Sequence, residues 1–499
     1  MSPSLRPPHR PALAVALILS ALLAGCATPG ASAPAAWPPE TRDAVAAPLR
    51  QAYGLILPDT AADTPPPETL TAPPLDMDRA VRLALHQHPG LQARLAELGV
   101  TLAERDALLG PPNPRLELGL SRSAGEQDTF LGLNLDLGKL LLRPWLRRLE
   151  GQRVAAAQEE AAEAVLQQVL QVRLAFIDAV AAAQAVNQAR QSQQAAEAAA
   201  LLAQRMADAG HVPALRTLRE RTLAVEARLT TRQAQAAARL AEERLLLALG
   251  LAEPPAAWQA GAEAADLASP AGASWAARVL PAALPALPAQ PLSATAPPAQ
   301  PTAQRLDLQA SRQRLGATTQ EAGAHPVTPW LEELEMGLGA TRPQHGAVER
   351  ELHLSFPLPF TGTPRTAVAQ ARAERDRLAG LQQDRQAASE IRQARLREAA
   401  AWTHAKALQE ELLPLTQQAA DQQLLRYNGM LTGPFELLAE ARAQTATAQA
   451  AVRALRDYWR ARAQLEAVVW GPAGDTAAAE PDAATHEDAA APASPAARH

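Results

Sequence analysis

The chain has 499 residues, a formal net charge of -5 from 47 Lys+Arg and 52 Asp+Glu, and 3% aromatic residues. At about 150 residues per domain the length allows roughly three ordinary domains, yet long Ala-, Leu-, Gln-, Arg- and Glu-rich stretches with so few aromatics favour long helices packed through small side chains. Interspersed charge excludes a basic nucleic-acid-binding domain, and the lone Cys26 excludes an intramolecular disulfide and any multi-cysteine zinc or iron-sulfur site.

Arg6, His9 and Arg10 precede an apolar run from Pro11 to Gly25. That run is too short to span a bilayer comfortably and, behind a basic head, reads as an export signal over residues 1–25. Leu23-Ala24-Gly25-Cys26 resembles the lipobox of bacterial lipoproteins. The resemblance implies cleavage before Cys26, a diacylglyceryl thioether on its sulfur and acylation of the new amine, several chains being what stable anchoring requires. Ala27, where an Asp would signal retention at the inner membrane, implies the outer membrane. Residues 26–74, with Pro65 to Pro67 and Pro73-Pro74, read as the lipid anchor and an extended tether.

A helix is expected from Leu75-Asp76 to Gly110, with Asp76 as its cap and Pro111, Pro112 and Pro114 as its stop. The period then changes. Leu116, Leu118 and Leu120, then Leu131, Leu133, Leu135 and Leu137, alternate with small or polar residues, which predicts a β-hairpin over 113–140 with strands of membrane-spanning length. From Pro144 to Ala209 only Gly151 interrupts a helical composition, predicting a helix of about 100 Å at 1.5 Å per residue. Gly210 breaks it and Pro213 restarts a helix over 213–249. Residues 251–301, with Trp258 and Trp275, read as a connector of loops and short elements.

The plan then repeats over 302–472 as helix, hairpin 331–362, long helix 364–428 and helix 434–470. Leu116 to Leu120 matches Leu334 to Leu338 at an offset of 218, Leu133 to Leu135 matches Leu352 to Leu354 at 219, and Pro144 matches Pro364 at 220. Gly210 matches Gly429 at 219, Leu218 to Glu220 matches Leu438 to Glu440 at 220, and Gly250 matches Gly471 at 221. Six matches in order imply a duplicated chain of 75–250 and 302–472. In the first half the two shorter helices, laid end to end, come close to the length of the long one, so the long helix is expected to be flanked along its length by both.

Helix layers with Ala-rich seams bury little per residue, and four strands cannot close a barrel with a lumen. Open strand edges are not tolerated in lipid. Copies must therefore close on one another, and three chains supply twelve strands, with Asn134, Asp136, His353 and Ser355 on the polar face opposite the leucines. The fold class expected is mainly α with transmembrane β: a trimeric 12-stranded β-barrel continuous with a periplasmic α-helical barrel.

Tyr427-Asn428-Gly429-Met430, Phe435-Glu436-Leu437-Leu438 and Ala454-Leu455-Arg456-Asp457-Tyr458-Trp459 are similar to the second-half signature of the outer-membrane efflux (TolC) family, and most of all to its heavy-metal branch. The resemblance covers about 75–472. It implies a homotrimer in the outer-membrane lipid that meets a periplasmic adaptor (membrane fusion) protein and, through it, an inner-membrane pump of the resistance-nodulation-division type. It implies a passive duct, most readily for heavy-metal cations; a drug exporter or type I protein-secretion duct would use the same scaffold.

Consistent with absence of catalysis, the sequence has no phosphate-binding Gly-rich motif, no Gly-x-Ser-x-Gly and no His-Glu-x-x-His. No cofactor is expected. A lipid-anchored cell-wall hydrolase or adhesin is the competing class. The resemblance places the functional surface at the two turns, Arg205 to Pro213 and Leu425 to Pro434, with Gly210, His211, Asn428 and Gly429 as adaptor contacts. Gly210 and Gly429 are expected to take positive φ. Glu436 and Glu440, with Asp208 as rival, are candidates for a gate or ion-selectivity ring, and Arg205 and Arg426 for latches. The histidines are scattered, and His86 and His88 lie two apart on different helix faces, so no metal site is assigned. Residues 473–499 read as a flexible tail.

Overall fold

In the computed structural model Asp76 opens the first helix as a cap, its Oδ1 accepting from the Arg79 backbone N–H at 2.7 Å. The structure describes residues 46, 49–51, 53–54, 71–123, 126–259, 274–294, 302–324, 328–331, 334–342, 347–356, 358 and 362–472. The export signal, Cys26, most of the tether and the tail lie outside the described residues.

The helix expected over 76–110 is two helices, α1 (Met77–Gln87) and α2 (Pro89–Leu109). Pro89 has no N–H to donate into the preceding turn, and the residue before a proline is pushed out of the helical region, so His88 sits at ψ 112. His88 becomes the cap of α2, its Nδ1 accepting from the Leu91 N–H at 3.2 Å. The break packs on the first half's last glycine: Gly250 has φ +77, and a Cβ there would lie 2.6 Å from the His88 Cα.

Two hairpins follow the alternation of their leucines. Strands β1 (Arg115–Ser123), β2 (Glu126–Asp136), β3 (Glu335–Arg342) and β4 (Glu349–Ser355) form one antiparallel sheet in that order. The β2–β3 pairing, with Leu133 opposite Leu338 and Asp136 opposite Glu335, joins the hairpins of the two halves. Strands β1 and β4 are its open edges.

Helix α3 (Leu137–Asp208) starts at Leu137, before the Pro144 expected to open it, because Asp136 caps it through the Lys139 N–H at 2.8 Å. Its 72 residues span about 108 Å. Along it pack α1, α2 and α4 (Ala214–Leu249), and from the second half α5 (Leu306–Ala324) and α8 (Pro434–Val468). By length and composition a window of α3 is apolar enough to cross a membrane, but 56% of that window is buried against protein. Thr217 and Thr231 hold α4 to α3 by donating to the carbonyls of Ala203 and Ala189 at 3.3 and 3.1 Å.

The second long helix differs from α3. It runs as α6 (Gly362–Lys406), a wide π turn (Ala407–Leu412) and α7 (Leu413–Asn428). Pro414 lacks the N–H that would return to the preceding turn, and the π turn ahead of it lets the chain continue without a clash. Leu408 of that turn is buried with Ala405, Ala451, Ala454 and Tyr458.

The main core lies midway along the helices, around Val165 to Ala181 of α3 and the connector. Trp258 and Trp275 stack at 4.7 Å, and the Trp258 indole donates to the Thr71 carbonyl at 2.6 Å. Trp402 and Trp459 donate to the Pro288 and Pro285 carbonyls, both at 2.9 Å, and Glu398, 0% exposed, accepts from the Leu292 and Ser293 N–H groups. Thus the described part of the connector is a strap fastened to both halves.

Where α3 meets the start of the second half, burial raises the Glu163 carboxyl from 4.5 to about 7, with Asp307 and Glu160 raising it further and Arg305 and Arg314 opposing. Between those two pH values the folded chain keeps a proton that the unfolded chain has released. This contribution is therefore full below pH 4.5, falls as pH rises, and is gone above about 7. Melting curves of Glu163→Gln should show a flatter dependence on pH across that window; an unchanged slope would remove Glu163 as its source.

Candidate functional site

Two regions carry the geometry relevant to function: the helix turns farthest from the sheet, and the polar face of the sheet.

At the first turn Ala209, Gly210 and His211 donate backward to the carbonyls of Arg205, Ala207 and Met206 at 3.1, 2.9 and 2.8 Å. At the second, Gly429, Met430 and Leu431 donate to Leu425, Tyr427 and Arg426 at 3.0, 2.9 and 2.9 Å. The turns superpose bond for bond at an offset of 220, not the 219 that pairing glycine with glycine gives. Gly429 therefore stands where Ala209 does, at φ -77, and the expectation that it takes positive φ is corrected. The left-handed position belongs to Gly210 at φ +78 and to Met430 at φ +58.

A non-glycine residue held there costs about 1 kcal/mol. Met430→Gly should slow hydrogen exchange at the second turn about fivefold, and Gly210→Ala should speed it at the first by a similar factor. Gly429→Ala should change little, because its φ is ordinary and the nearest atom to a new Cβ is 3.5 Å away. A loss at Gly429→Ala equal to that at Gly210→Ala would overturn this assignment.

Asp208 is exposed and accepts from the Gln204 amide at 2.8 Å. His211 and Asn428 are exposed. Glu436, a ring candidate, serves its own helix: its Oε2 accepts from the Gly433 N–H at 2.6 Å, as an acidic residue in a first turn does. Glu440 is half-buried one turn further on. Arg205 and Arg426 are exposed, and neither side chain bonds to a described residue of its own chain.

A different pair of contacts joins the two turns. The Arg216 guanidinium lies 4.6 Å from the Phe435 ring centroid. Glu220, 4% exposed, pairs with Arg442. Sequence reasoning missed these contacts because each spans more than 200 positions, and local periodicity carries no sign of it. The surrounding tip is apolar: Met430 is 94% exposed, with Leu431, Leu425 and Leu215 also open to solvent.

On the sheet, alternation separates two faces. Leu116, Leu118, Leu131, Leu133, Leu338, Leu352 and Leu354 share one and are all exposed. The other carries Glu117, Asp128, Asp136, Glu335, Glu349 and Glu351, with Asn134, His353 and Ser355. Arg115 is the described arginine on this face, and it pairs with Glu335 at 2.9 Å. Gly119, Gly132 and Gly339 lie under the Phe130 ring, whose atoms come within 2.8 Å of where a Cβ of Gly132 or Gly339 would stand. The glycines thus let the ring lie against the sheet instead of projecting from it. Among the described residues no group of three or more His, Cys, Asp or Glu side chains is placed to hold a metal ion.

A similar fold is found in solved structures. It matches the Campylobacter jejuni CmeC outer membrane channel at a TM-score of 0.64 and 14% identity, over 79% of this chain and 85% of that one. The chain has the fold of the outer-membrane channels. The open state of the Neisseria gonorrhoeae MtrE outer membrane channel matches at 0.59 and 16% identity over 81% and 90%. CusC, described through its folding and transmembrane channel formation, matches at 0.61 and 16% identity over 79% and 92%. No protein-family model and no curated protein sequence matches the chain.

Proposed function

We propose that the chain is the passive outer-membrane duct of a tripartite export assembly, acting as a homotrimer and catalysing no chemistry. The observation that carries this reading is the sheet: one exposed apolar face, one acidic face and two open edges, set on helices about 100 Å long. Three copies joining β1 to β4 make twelve strands, with leucines toward lipid and carboxylates toward a water-filled lumen. Cys26 is acylated and adds a second membrane attachment. The apolar tips receive a periplasmic adaptor, which connects them to a resistance-nodulation-division pump.

Substrate follows from weaker support. The heavy-metal reading rests on the similarity of the 427–466 segment alone. Since CmeC, MtrE and CusC share the fold at similar TM-scores, the fold singles out no cargo. Drug efflux or type I protein secretion is supported at least as well as metal export, and a wide duct with weak contacts suits any of them. The gate lies at the tips, where Glu436, Glu440 and Asp208 from three chains supply negative charge. Arg205 and Arg426 are free to reach a neighbouring chain, while the Arg216–Phe435 and Glu220–Arg442 contacts tie the two turns of one chain.

Two measurements test the reading. Single-channel recording in a planar bilayer should give a cation-preferring pore whose preference falls in Glu117→Gln/Glu351→Gln, the lumen pair, and whose conductance rises in Arg442→Ala. Absence of any pore activity from the purified trimer would refute the duct. A deletion strain then assigns cargo: hypersensitivity to metals alone supports the metal reading, and hypersensitivity to drugs alone supports drug efflux.

A further inference from the structure

The charges on the strands are sorted by face, and the sorting has a second side. On the leucine face, among the described side chains, the charged residues are Arg342 and Arg350, and no carboxylate accompanies them. Both are exposed. Arg350 pairs across from Ala340 on β3, two residues before Arg342, so the arginines are diagonal neighbours about 7–8 Å apart. Thr129 on β2 lies directly opposite Arg342, on the same face. The helices join the sheet at Arg115, Asp136, Glu335 and Ser355, so the arginines stand at the opposite end.

From them the apolar stripe runs back along β4 through Leu352 and Leu354 to Phe356, all exposed. The seven residues from Arg350 to Phe356 rise about 20 Å, close to the height of an outer-membrane apolar band once a further row is added. The arginines are therefore at the rim of that band.

We propose that Arg342 and Arg350, with Thr129, bind the phosphate groups of lipid in the leaflet facing away from the helices. The inference rests on the barrel reading above, which turns the leucine face toward lipid. Guanidinium groups fork onto phosphate oxygens through paired charge-assisted hydrogen bonds, and their aliphatic stems remain on the apolar wall. Two guanidiniums at this spacing bracket one phosphate or engage two on the same head group. The described carboxylates are confined to the opposite face, so no described carboxylate on the leucine face repels an anionic head group.

Native mass spectrometry of the full-length protein in detergent tests this with three probes: lipid A bearing two phosphates, its monophosphorylated form, and inorganic phosphate. The wild-type trimer should retain the bisphosphorylated lipid best. Arg342→Gln/Arg350→Gln should retain it on the order of tenfold less, with unchanged trimer mass and unchanged conductance. Arg342→Lys/Arg350→Lys should lie between the two, since a point charge lacks the fork. Equal retention by wild type and the Gln variant, or displacement of the lipid by an equal concentration of inorganic phosphate, would overturn the lipid site while leaving the channel reading intact. A protein that is monomeric and forms no pore would overturn the channel reading and the lipid site with it; the mass spectrum separates the two failures.

Discussion

Gly138→Ala is expected to abolish assembly of the sheet on its helices. A methyl at this position would stand 1.6 Å from the Leu331 carbonyl oxygen and 2.8 Å from its carbon. These are backbone atoms that cannot swing aside. Gly138 also donates its N–H to Leu334 at 2.9 Å, one residue before β3 begins. The clash therefore falls on the junction where the first half's long helix meets the second half's hairpin. Its cost should exceed about 4 kcal/mol, beyond what most single substitutions do. Gly151→Ala supplies the contrast, since that glycine sits in α3 with open space around it and should gain about 0.5–1 kcal/mol of helix propensity. The measurement is the amount of heat-resistant oligomer in the outer-membrane fraction. Wild-type levels for Gly138→Ala would mean the junction is not as close as described.

The second large effect is expected at Arg305, 1% exposed at the start of the second half. Its guanidinium bonds Asp307 at 3.0 and 2.8 Å, Glu390 at 2.8 Å and the Val468 carbonyl at 3.4 Å. One residue on, the Leu306 N–H donates to the Trp470 carbonyl at 2.8 Å. Arg305 thus gathers α5, α6 and the end of α8 at one point. Removing a buried partner leaves carboxylates uncompensated, and Arg305→Ala should cost about 3–5 kcal/mol, the lower figure being nearer because Glu390 is partly exposed. With its favourable neighbour gone, the Glu163 carboxyl should protonate at still higher pH, so the pH dependence of melting should extend upward. A variant that melts like wild type would show that solvent screens the cluster.

What was legible in the sequence was local. Leucines at every second position announced the strands, and Asp76 announced a cap. The polar-face residues Asn134, Asp136, His353 and Ser355 followed from the same alternation. Pro89 carried a readable helix break that the strong apolar periodicity on both sides concealed. Pro144 misled in the opposite sense: it lies eight residues into α3, past the first turn, where it removes one ladder bond without ending the helix, whose start was decided upstream by Asp136. At the tips, the identity of a glycine suggested the register, whereas hydrogen bonding determined it and Met430 took the strained position. The Arg216–Phe435 and Glu220–Arg442 contacts and the Arg305 cluster depend on how distant segments come together, which pattern alone does not encode.

The π turn at 407–412 makes the two halves mechanically unequal. In α3 the hydrogen-bond ladder runs from the sheet to the first tip and lacks the bond that Pro144 cannot donate, close to the sheet end, so the rod transmits a push or a twist with little loss over the rest of its length. In the second half the ladder is widened at 407–412 just ahead of Pro414, and bending strain collects where a ladder is interrupted. A torque applied at Met430 therefore relaxes at a joint about eighteen residues away, a helical distance of roughly 27 Å, before it reaches the sheet. One strut of each chain is stiff and the other is sprung.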